Sequence, residues 1–283
     1  MTPLHTIHQF HVGAVYGDGV TNAMLLTRRL LRAIGLRSEI YAVIISPELQ
    51  GDILPHTAYR HAPEQLLIVH HSMGHELRGW IEGVPTPKLL VYHNITPPSF
   101  FSTTDPLRAQ VVLGRDQLTA WARDKIFRGA VGVSTFNAEE LLQVGHTPVA
   151  TIPLLVDLDV LRAAALLQRP LRDSTAELLF VGRLTPHKCQ IDLLEVCAAL
   201  RPLLDRPVRL TLVGGGDPTY LAQLQARIAE LDLRDAVHLP GRLTNLELHE
   251  EYRKADLFLS LSEPECFGMP LLEAAVFGVP VLA

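Results

Sequence analysis

The sequence predicts an α/β fold made of two doubly wound domains that face each other across a cleft. Short apolar runs alternate with helical patterns of about 10–15 residues along the 283-residue chain, which is typical of strand–helix units in a parallel sheet. A domain usually takes roughly 100–200 residues, so the length allows two. We place the boundary near residue 155, where VATIPLLVDLD leads into a new helix, giving domains of residues 1–155 and 156–283.

In the first domain the alternation predicts five strands and two helices. The helix at residues 22–34 has apolar side chains three and four positions apart, and Gly35 suits the position just past its end. Another helix is expected from Asn137, with Glu140 three residues on as its capping-box partner. The strands are expected over residues 6–12, 39–45, 65–69, 89–92 and 130–134.

The second domain repeats the pattern, and the chain stops inside an expected strand. Strands are predicted over residues 178–182, 208–213, 236–239, 256–260 and 279–283, and helices over 191–204, 219–231, 246–255 and 269–277. Because the sequence ends at VPVLA, within the last of these strands, we expect this domain to be incomplete. Ligands of doubly wound sheets bind beyond the carboxyl ends of the strands, so the functional residues are expected there.

Composition and charge narrow the class of protein. The net charge of −5 lies entirely in residues 156–283 and argues against binding to nucleic-acid phosphates. Three cysteines form no closed disulfide set and fit a reducing compartment. We find no leader pattern and no run of the ~20 apolar residues that a membrane helix needs. A cytoplasmic protein is expected, and peripheral contact with the inner face of a membrane stays open.

The strongest chemical signal lies near the end, in SEPECFGMPLLEAA. Two carboxylates, Glu265 and Glu273, flank a turn whose Pro270 suits the first turn of a helix. The amides of Gly268 and Met269 are then expected to point at an anion, which the helix dipole also attracts. Glu273 is expected in the first helical turn, where its carboxylate can accept two hydrogen bonds from a vicinal diol such as a ribose.

A second signal is FVGRLTPHK, residues 180–188. A buried strand is expected to end at Gly182, Arg183 emerges at the strand edge, and Lys188 follows after a turn. Two fixed cations at the edge of a cleft can hold a diphosphate and stabilise the charge that grows on it when a glycosidic bond breaks.

These motifs resemble those of the family 4 retaining glycosyltransferases, which have the GT-B fold of two Rossmann-like domains. The resemblance covers most of the chain and is strongest over residues 180–283, where FVGRL, LTLVGGGD, VHLPGR, SEPECFGMPLLEA and GVPVLA follow in family order. It implies a nucleoside-diphosphate sugar bound mainly by the second domain. Arg183 and Lys188 would contact the diphosphate, Glu265 the sugar and Glu273 the ribose, with Gly182, Gly268 and Met269 beside them.

The first domain carries less specific motifs of the same resemblance. GDGVTNAM looks like the family's glycine loop, in which Gly17 and Gly19 would let the backbone approach a phosphate or the acceptor. VYHNITPPSFF looks like the loop whose histidine, here His93, faces the donor sugar. One departure is Cys189, which stands where many relatives have glycine, so the local backbone is expected to differ. Another is that family members usually continue well past PVLA.

The resemblance implies transfer of a hexosyl-type unit to an acceptor hydroxyl with retention, without a metal site or a further cofactor. The acceptor would be a saccharide or a lipid-linked molecule, as in the synthesis of bacterial surface polysaccharides. Two alternatives stay open, a non-catalytic protein that binds sugar nucleotides and another GT-B enzyme such as an epimerase.

Several motifs have simpler explanations. Asn22 takes the place of the third glycine in GxGxxG, which disfavours nicotinamide binding. LVGGGD is interpreted first as a strand–helix turn, and Asp157 as a helix cap rather than part of a metal-binding Asp-x-Asp. The histidines of HHSMGH lack metal-site spacing and are expected to pack or to line the cleft. The arginine run at residues 28–32 is expected on a solvated helix face.

Overall fold

A computed structural model describes residues 4–101, 103, 105–168, 174–263 and 267–283. The chain divides into two compact units, Met1–Val156 and Asp157–Ala283. Over these described residues, each unit contains one β-sheet whose paired strands all run parallel. The predicted α/β class with parallel sheets is confirmed. Within the described ranges, no helix has the length and apolar character to cross a membrane.

The first unit is a seven-stranded sheet with the strand order β3-β2-β1-β4-β5-β6-β7. Its core is apolar and centres on Phe10, Leu67, Leu90 and Trp121, each 0% exposed. The strands are β1 (Thr6–Ala14), β2 (Ile40–Ile45), β3 (Leu54–Pro55), β4 (Gln65–His71), β5 (Lys88–Tyr92), β6 (Ala130–Gly132) and β7 (Val149–Thr151), and the helices are α1 (Gly19–Ala33), α2 (Arg78–Gly83), α3 (Pro106–Arg123) and α4 (Thr135–Gln143).

Helix α1 begins three residues earlier than the apolar pattern predicts. The Asp18 side chain accepts a hydrogen bond from the amide of Thr21 at 3.0 Å and caps the helix, so Gly19 is its first residue and not part of the preceding loop. At the other end Gly35 has φ 86°, the left-handed conformation that glycine adopts without steric cost.

Helix α4 corrects two predictions. It starts at Thr135, because the hydroxyl of Ser134 accepts from the amide of Asn137 at 3.2 Å and acts as the cap. Glu140 is therefore not a capping-box residue. Its carboxylate instead accepts hydrogen bonds from the hydroxyl of Tyr92 at 2.6 Å and from the guanidinium of Arg115.

The prediction that the arginines of α1 lie on a solvated face is also wrong in part. Arg28 is 7% exposed and donates two hydrogen bonds, at 2.8 and 2.7 Å, to the carboxylate of Asp52. Arg32 donates to the carboxylate of Glu39 at 2.8 Å. Arg28 therefore ties α1 to the segment before β3, whereas Arg29 and Arg32 are exposed as predicted.

The second unit is a five-stranded sheet with the order β10-β9-β8-β11-β12. The side chain of Asp157 accepts a hydrogen bond from the amide of Val160, which confirms the predicted cap of helix α5. Helix α6 ends at Leu200 and not at residue 204 as predicted, and Pro202 lies in the turn that follows it. The strands are β8 (Ala176–Val181), β9 (Val208–Val213), β10 (Val237–Gly241), β11 (Leu257–Leu259) and β12 (Val281–Leu282), and the helices are α5 (Leu158–Ala165), α6 (Gln190–Leu200), α7 (Pro218–Glu230), α8 (Asn245–Lys254) and α9 (Met269–Val276).

Candidate functional site

The candidate residues of the second unit lie at one edge of its sheet. Strands β9, β8 and β11 are neighbours and run parallel, so the segments that follow them meet at the same carboxyl edge. Arg183 follows β8, a run of three glycines follows β9, and Gly268 and Met269 follow β11. The backbone amide of Glu263 donates to the carbonyl of His187 at 3.1 Å and joins the first of these segments to the third.

The glycine run after β9 is explained by close packing. A Cβ atom on Gly214 would overlap the carbonyl oxygen of Gly182, and one on Gly216 would lie 2.7 Å from the carbonyl oxygen of Leu184. Backbone hydrogen bonds cross the same gap, from Gly182 to Val213 at 3.0 Å and from Leu184 to the glycine run at 2.9 Å. The glycines therefore hold the Arg183 segment against the end of β9.

Arg183 is exposed and its backbone is anchored by a side chain that the sequence did not single out. Gln190, 0% exposed at the start of α6, donates from Nε2 to the carbonyl of Arg183 at 3.0 Å. Its Oε1 accepts from the hydroxyl of Tyr220 on α7 at 3.1 Å. A buried amide with both ends bonded fixes the segment that carries the arginine. No local sequence signal marks Gln190, because its partners come from two other segments.

Lys188 is half-buried and ends a short turn, Pro186–Lys188, that leads into α6. Cys189 follows with φ 55° and ψ 35°. This is the left-handed conformation that a glycine favours and that costs other residues roughly 1–2 kcal/mol. The cysteine thus occupies a glycine-type position. Burial raises the pKa of its thiol.

The N-terminus of α9 has the form that the sequence predicts. Gly268 caps the helix in the left-handed conformation, with φ 73° and ψ 42°, and Pro270 lies in the first turn. The carbonyl of Gly268 accepts from the amide of Leu271 at 3.0 Å. The first backbone amides of a helix have no hydrogen-bond acceptor within the helix. The amides of Gly268 and Met269 are in this position, which suits the binding of an anion.

Glu273 lies deeper in α9 than predicted. It is the fifth helical residue, about 6 Å along the axis from the first, and not in the first turn. Its Oε2 accepts a hydrogen bond from the hydroxyl of Tyr252 at 2.7 Å. Tyr252 is 0% exposed, and its ring stacks on Phe258 and Phe277 at centroid distances of 6.2 and 5.3 Å. Burial raises the pKa of the Glu273 carboxyl. Glu265, the other carboxylate of the motif, lies outside the described residues.

His93, the candidate side chain of the first unit, is buried. It follows β5, is 4% exposed, and its Nε2 lies 2.8 Å from Nδ1 of His70. Its backbone amide donates to the carbonyl of His71 at 3.0 Å. Burial lowers its pKa well below the usual value, so the imidazole is neutral near pH 7.

Two further histidines of the first unit are buried, and each has one ring nitrogen hydrogen-bonded to the backbone. His71 lies with Nε2 2.9 Å from the carbonyl oxygen of Gly114, and Nδ1 of His75 accepts from the amide of Leu77 at 3.2 Å. Burial lowers the pKa of His71 to about 3 and that of His75 to about 4. Among the residues that the structure describes, no group of three or more side chains is arranged to hold a metal ion. Both histidines are buried inside the first unit, at 1% and 8% exposure.

The candidates therefore form two groups, one in each unit. One group lies on segments that follow neighbouring strands at the carboxyl edge of the second sheet. The segment after β8 carries Gly182, Arg183 and Lys188, and the segment after β11 carries Gly268 and Met269, with Glu273 one helical turn beyond. In the first unit Gly17 follows β1, Gly19 opens α1 and His93 follows β5, also at the carboxyl ends of parallel strands.

Comparison with known proteins agrees with this geometry. Residues 167–283 match the family model described as glycosyl transferases group 1. D-inositol 3-phosphate glycosyltransferase of Thermobispora bispora is 33% identical over an alignment of 185 residues that covers 61% of this chain and 42% of that protein. Alpha-monoglucosyldiacylglycerol synthase of Streptococcus pneumoniae is 30% identical over 113 residues, 40% of this chain and 25% of that protein. The chain spans less than half the length of these relatives.

Solved structures resemble the chain over nearly its whole length. Anabaena HepE in complex with UDP and glucose has a TM-score of 0.71 at 16% identity, covering 99% of this chain and 80% of that one. WaaG, a glycosyltransferase involved in lipopolysaccharide biosynthesis, has a TM-score of 0.69 at 14% identity, covering 97% and 80%. At such identities the likeness concerns the fold. Residues 167–283 are thus similar to a group 1 glycosyltransferase domain, in a chain that shares its fold with HepE and WaaG.

Proposed function

We propose that this protein is a retaining glycosyltransferase that moves a hexosyl-type unit from a nucleoside-diphosphate sugar to an acceptor hydroxyl. One observation carries the proposal. In the segment similar to group 1 glycosyltransferases, Arg183 and Lys188 follow β8 and the N-terminus of α9 follows the neighbouring strand β11, at the carboxyl edge of a parallel sheet. Two cations and a helix N-terminus together suit a diphosphate.

The donor would be held mainly by the second unit. Arg183 and Lys188 would contact the diphosphate, with the amides of Gly268 and Met269 near the phosphate and the sugar. Glu273 would accept hydrogen bonds from the ribose hydroxyls, and Glu265 would contact the sugar. The fold likeness to HepE, solved with UDP and glucose, supports a donor of this class.

The chemistry would rest on stabilising the leaving group. When the glycosidic bond to the diphosphate breaks, negative charge grows on the phosphate oxygens, and Arg183 and Lys188 would stabilise it. The acceptor hydroxyl would attack from the face that the diphosphate leaves, and the leaving phosphate would take its proton. These groups could replace a divalent metal, so we propose a metal-independent reaction with no further cofactor.

His93 would position the donor sugar as a neutral group. Its pKa, lowered by burial, excludes a stable imidazolium near neutral pH, so it would act by hydrogen bonding and not by charge. The glycines at 17 and 19 would sit beside the phosphate or the acceptor.

The acceptor would be a saccharide or a lipid-linked molecule, in bacterial surface polysaccharide or glycoconjugate synthesis. The similarity to alpha-monoglucosyldiacylglycerol synthase and the fold likeness to WaaG support acceptors of these kinds. We propose a cytoplasmic location, with contact to the inner face of a membrane kept as an alternative, and no nucleic-acid partner in view of the net charge of −5.

The test is binding followed by turnover. Calorimetry with UDP, GDP and ADP should find one nucleoside diphosphate that binds, and its sugar should be consumed when acceptor is added. Binding without turnover would favour the non-catalytic alternative, and a changed sugar without acceptor would indicate an epimerase. Activity should survive EDTA. Loss of activity in EDTA with recovery on adding Mn²⁺ would contradict the metal-independent part.

A further inference from the structure

A buried chain of hydrogen bonds crosses three neighbouring strands of the first unit. Gln9 on β1, His70 on β4 and His93 after β5 are 0%, 5% and 4% exposed. His70 lies between the other two, with Nε2 3.1 Å from Oε1 of Gln9 and Nδ1 2.8 Å from Nε2 of His93. The three side chains therefore share their hydrogen bonds inside the protein, where each lost bond is costly.

The outer end of this chain sets the direction of every bond in it. Nε2 of Gln9 lies 3.0 Å from the carbonyl oxygen of Met24 on α1. A carbonyl oxygen only accepts, so the amide nitrogen of Gln9 must face Met24 and its Oε1 must face His70. Oε1 also only accepts, so Nε2 of His70 carries a proton. A neutral imidazole has one N–H, so Nδ1 of His70 is an acceptor and Nε2 of His93 must donate to it.

The two imidazoles are neutral near pH 7, which this assignment requires. Burial lowers the pKa of His70 to about 3, and burial, followed by the neighbouring histidines, lowers that of His93 well below the usual value. The two rings are stacked with centroids 5.1 Å apart, an arrangement that a positive charge on both would oppose.

We infer that Gln9 and His70 are positioning residues that hold His93 in one neutral tautomer, with the proton on Nε2. In that tautomer Nδ1 of His93 carries a lone pair. If His93 faces the donor sugar, a point that rests on the proposed function, it can accept a hydrogen bond from a sugar hydroxyl at Nδ1 but cannot give that hydroxyl a proton. The inference excludes His93 as a general acid.

The test is the imidazole ¹⁵N spectrum of protein labelled at its histidines, recorded at pH 7 without ligand. His93→Gln identifies the signal. The wild-type His93 signal should be that of the Nε2–H tautomer. Gln9→Met, which keeps the length but removes the acceptor, should shift the ratio of the two His93 tautomers at least about fivefold. His146, whose Nε2 lies 3.0 Å from the carbonyl oxygen of Leu118, is the internal control and should not change.

A matched pair at His70 tests the same inference independently. The amide oxygen of Asn stands about where Nδ1 of His stands and also accepts, so His70→Asn should preserve the His93 tautomer, whereas His70→Phe should not. A wild-type His93 that is protonated or carries its proton on Nδ1 would overturn the inference. So would a His93 tautomer that stays the same in both Gln9→Met and His70→Phe. Because no ligand is used, these results are independent of whether the protein transfers sugar.

Discussion

The buried histidines of the first unit predict a specific loss of stability in mild acid. Burial lowers the pKa of His70 and His71 to about 3 and that of His75 to about 4, against 6.5 for an unperturbed histidine. Between these values the unfolded chain binds protons that the folded protein does not. The free energy of unfolding must therefore fall as the pH drops below about 6.5 and level off only near the folded pKa values.

The size of this loss follows from the pKa differences. At pH 5.5, one unit below the unfolded value, protonation stabilises the unfolded chain by about 1.4 kcal/mol for each histidine that stays neutral in the fold. His70, His71 and His75 together should lower the free energy of unfolding by about 4 kcal/mol relative to pH 7.5. That is a large part of the free energy of unfolding of a typical domain, which is about 5–15 kcal/mol.

Tryptophan fluorescence can measure this loss in the first unit alone, because both tryptophans of the chain, Trp80 and Trp121, lie in it. Urea unfolding at pH 7.5 and 5.5 should show the midpoint falling at the lower pH. His75→Gln should remove about 1.4 kcal/mol of the pH effect, and the matched control His5→Gln, at a residue with a 64% exposed side chain, should remove less. A fluorescence transition with the same urea midpoint at both pH values would refute the reasoning.

Four further predictions concern the second unit. Arg183→Ala should lower turnover more than about tenfold with thermal unfolding unchanged; equal turnover would exclude the diphosphate contact. Cys189→Gly should leave the urea stability equal or up to about 1 kcal/mol higher, because it relieves a left-handed residue; a clear loss would contradict that account. Gly214→Ala should cost about 2 kcal/mol or more, since its Cβ would overlap a carbonyl oxygen, and a variant that unfolds in urea like wild type would refute this packing. Tyr252→Phe should weaken nucleoside-diphosphate binding severalfold in calorimetry, because its hydroxyl holds the Glu273 carboxylate, but should have no such effect in a Glu273→Gln background. An equal effect in both backgrounds would show that Tyr252 does not act through Glu273.

Local sequence patterns predicted most elements of the fold, and the exceptions have physical reasons. Strand β9 has the predicted bounds because its alternation with the next helix is clear. The 18-residue helix α3 was not predicted. Its backbone packs closely on the loop at Gly74 through Gly114, and Gln117 is buried on the same helix. Glycine and glutamine in place of large apolar residues weaken the helical pattern that sequence analysis depends on.

The sequence by itself determined where the functional segments lie, because the order of strands, turns and helix caps is encoded locally. It placed Arg183 and Gly268 after buried strands, and a parallel sheet necessarily gathers such positions at one edge. Only the tertiary structure decided which side chains meet. Gln9 and His70 are 61 residues apart and Tyr252 and Glu273 are 21 apart, and their hydrogen bonds exist because packing brings them within 3.1 and 2.7 Å. Contacts of that kind depend on the arrangement of whole strands and helices, which local residue patterns do not carry.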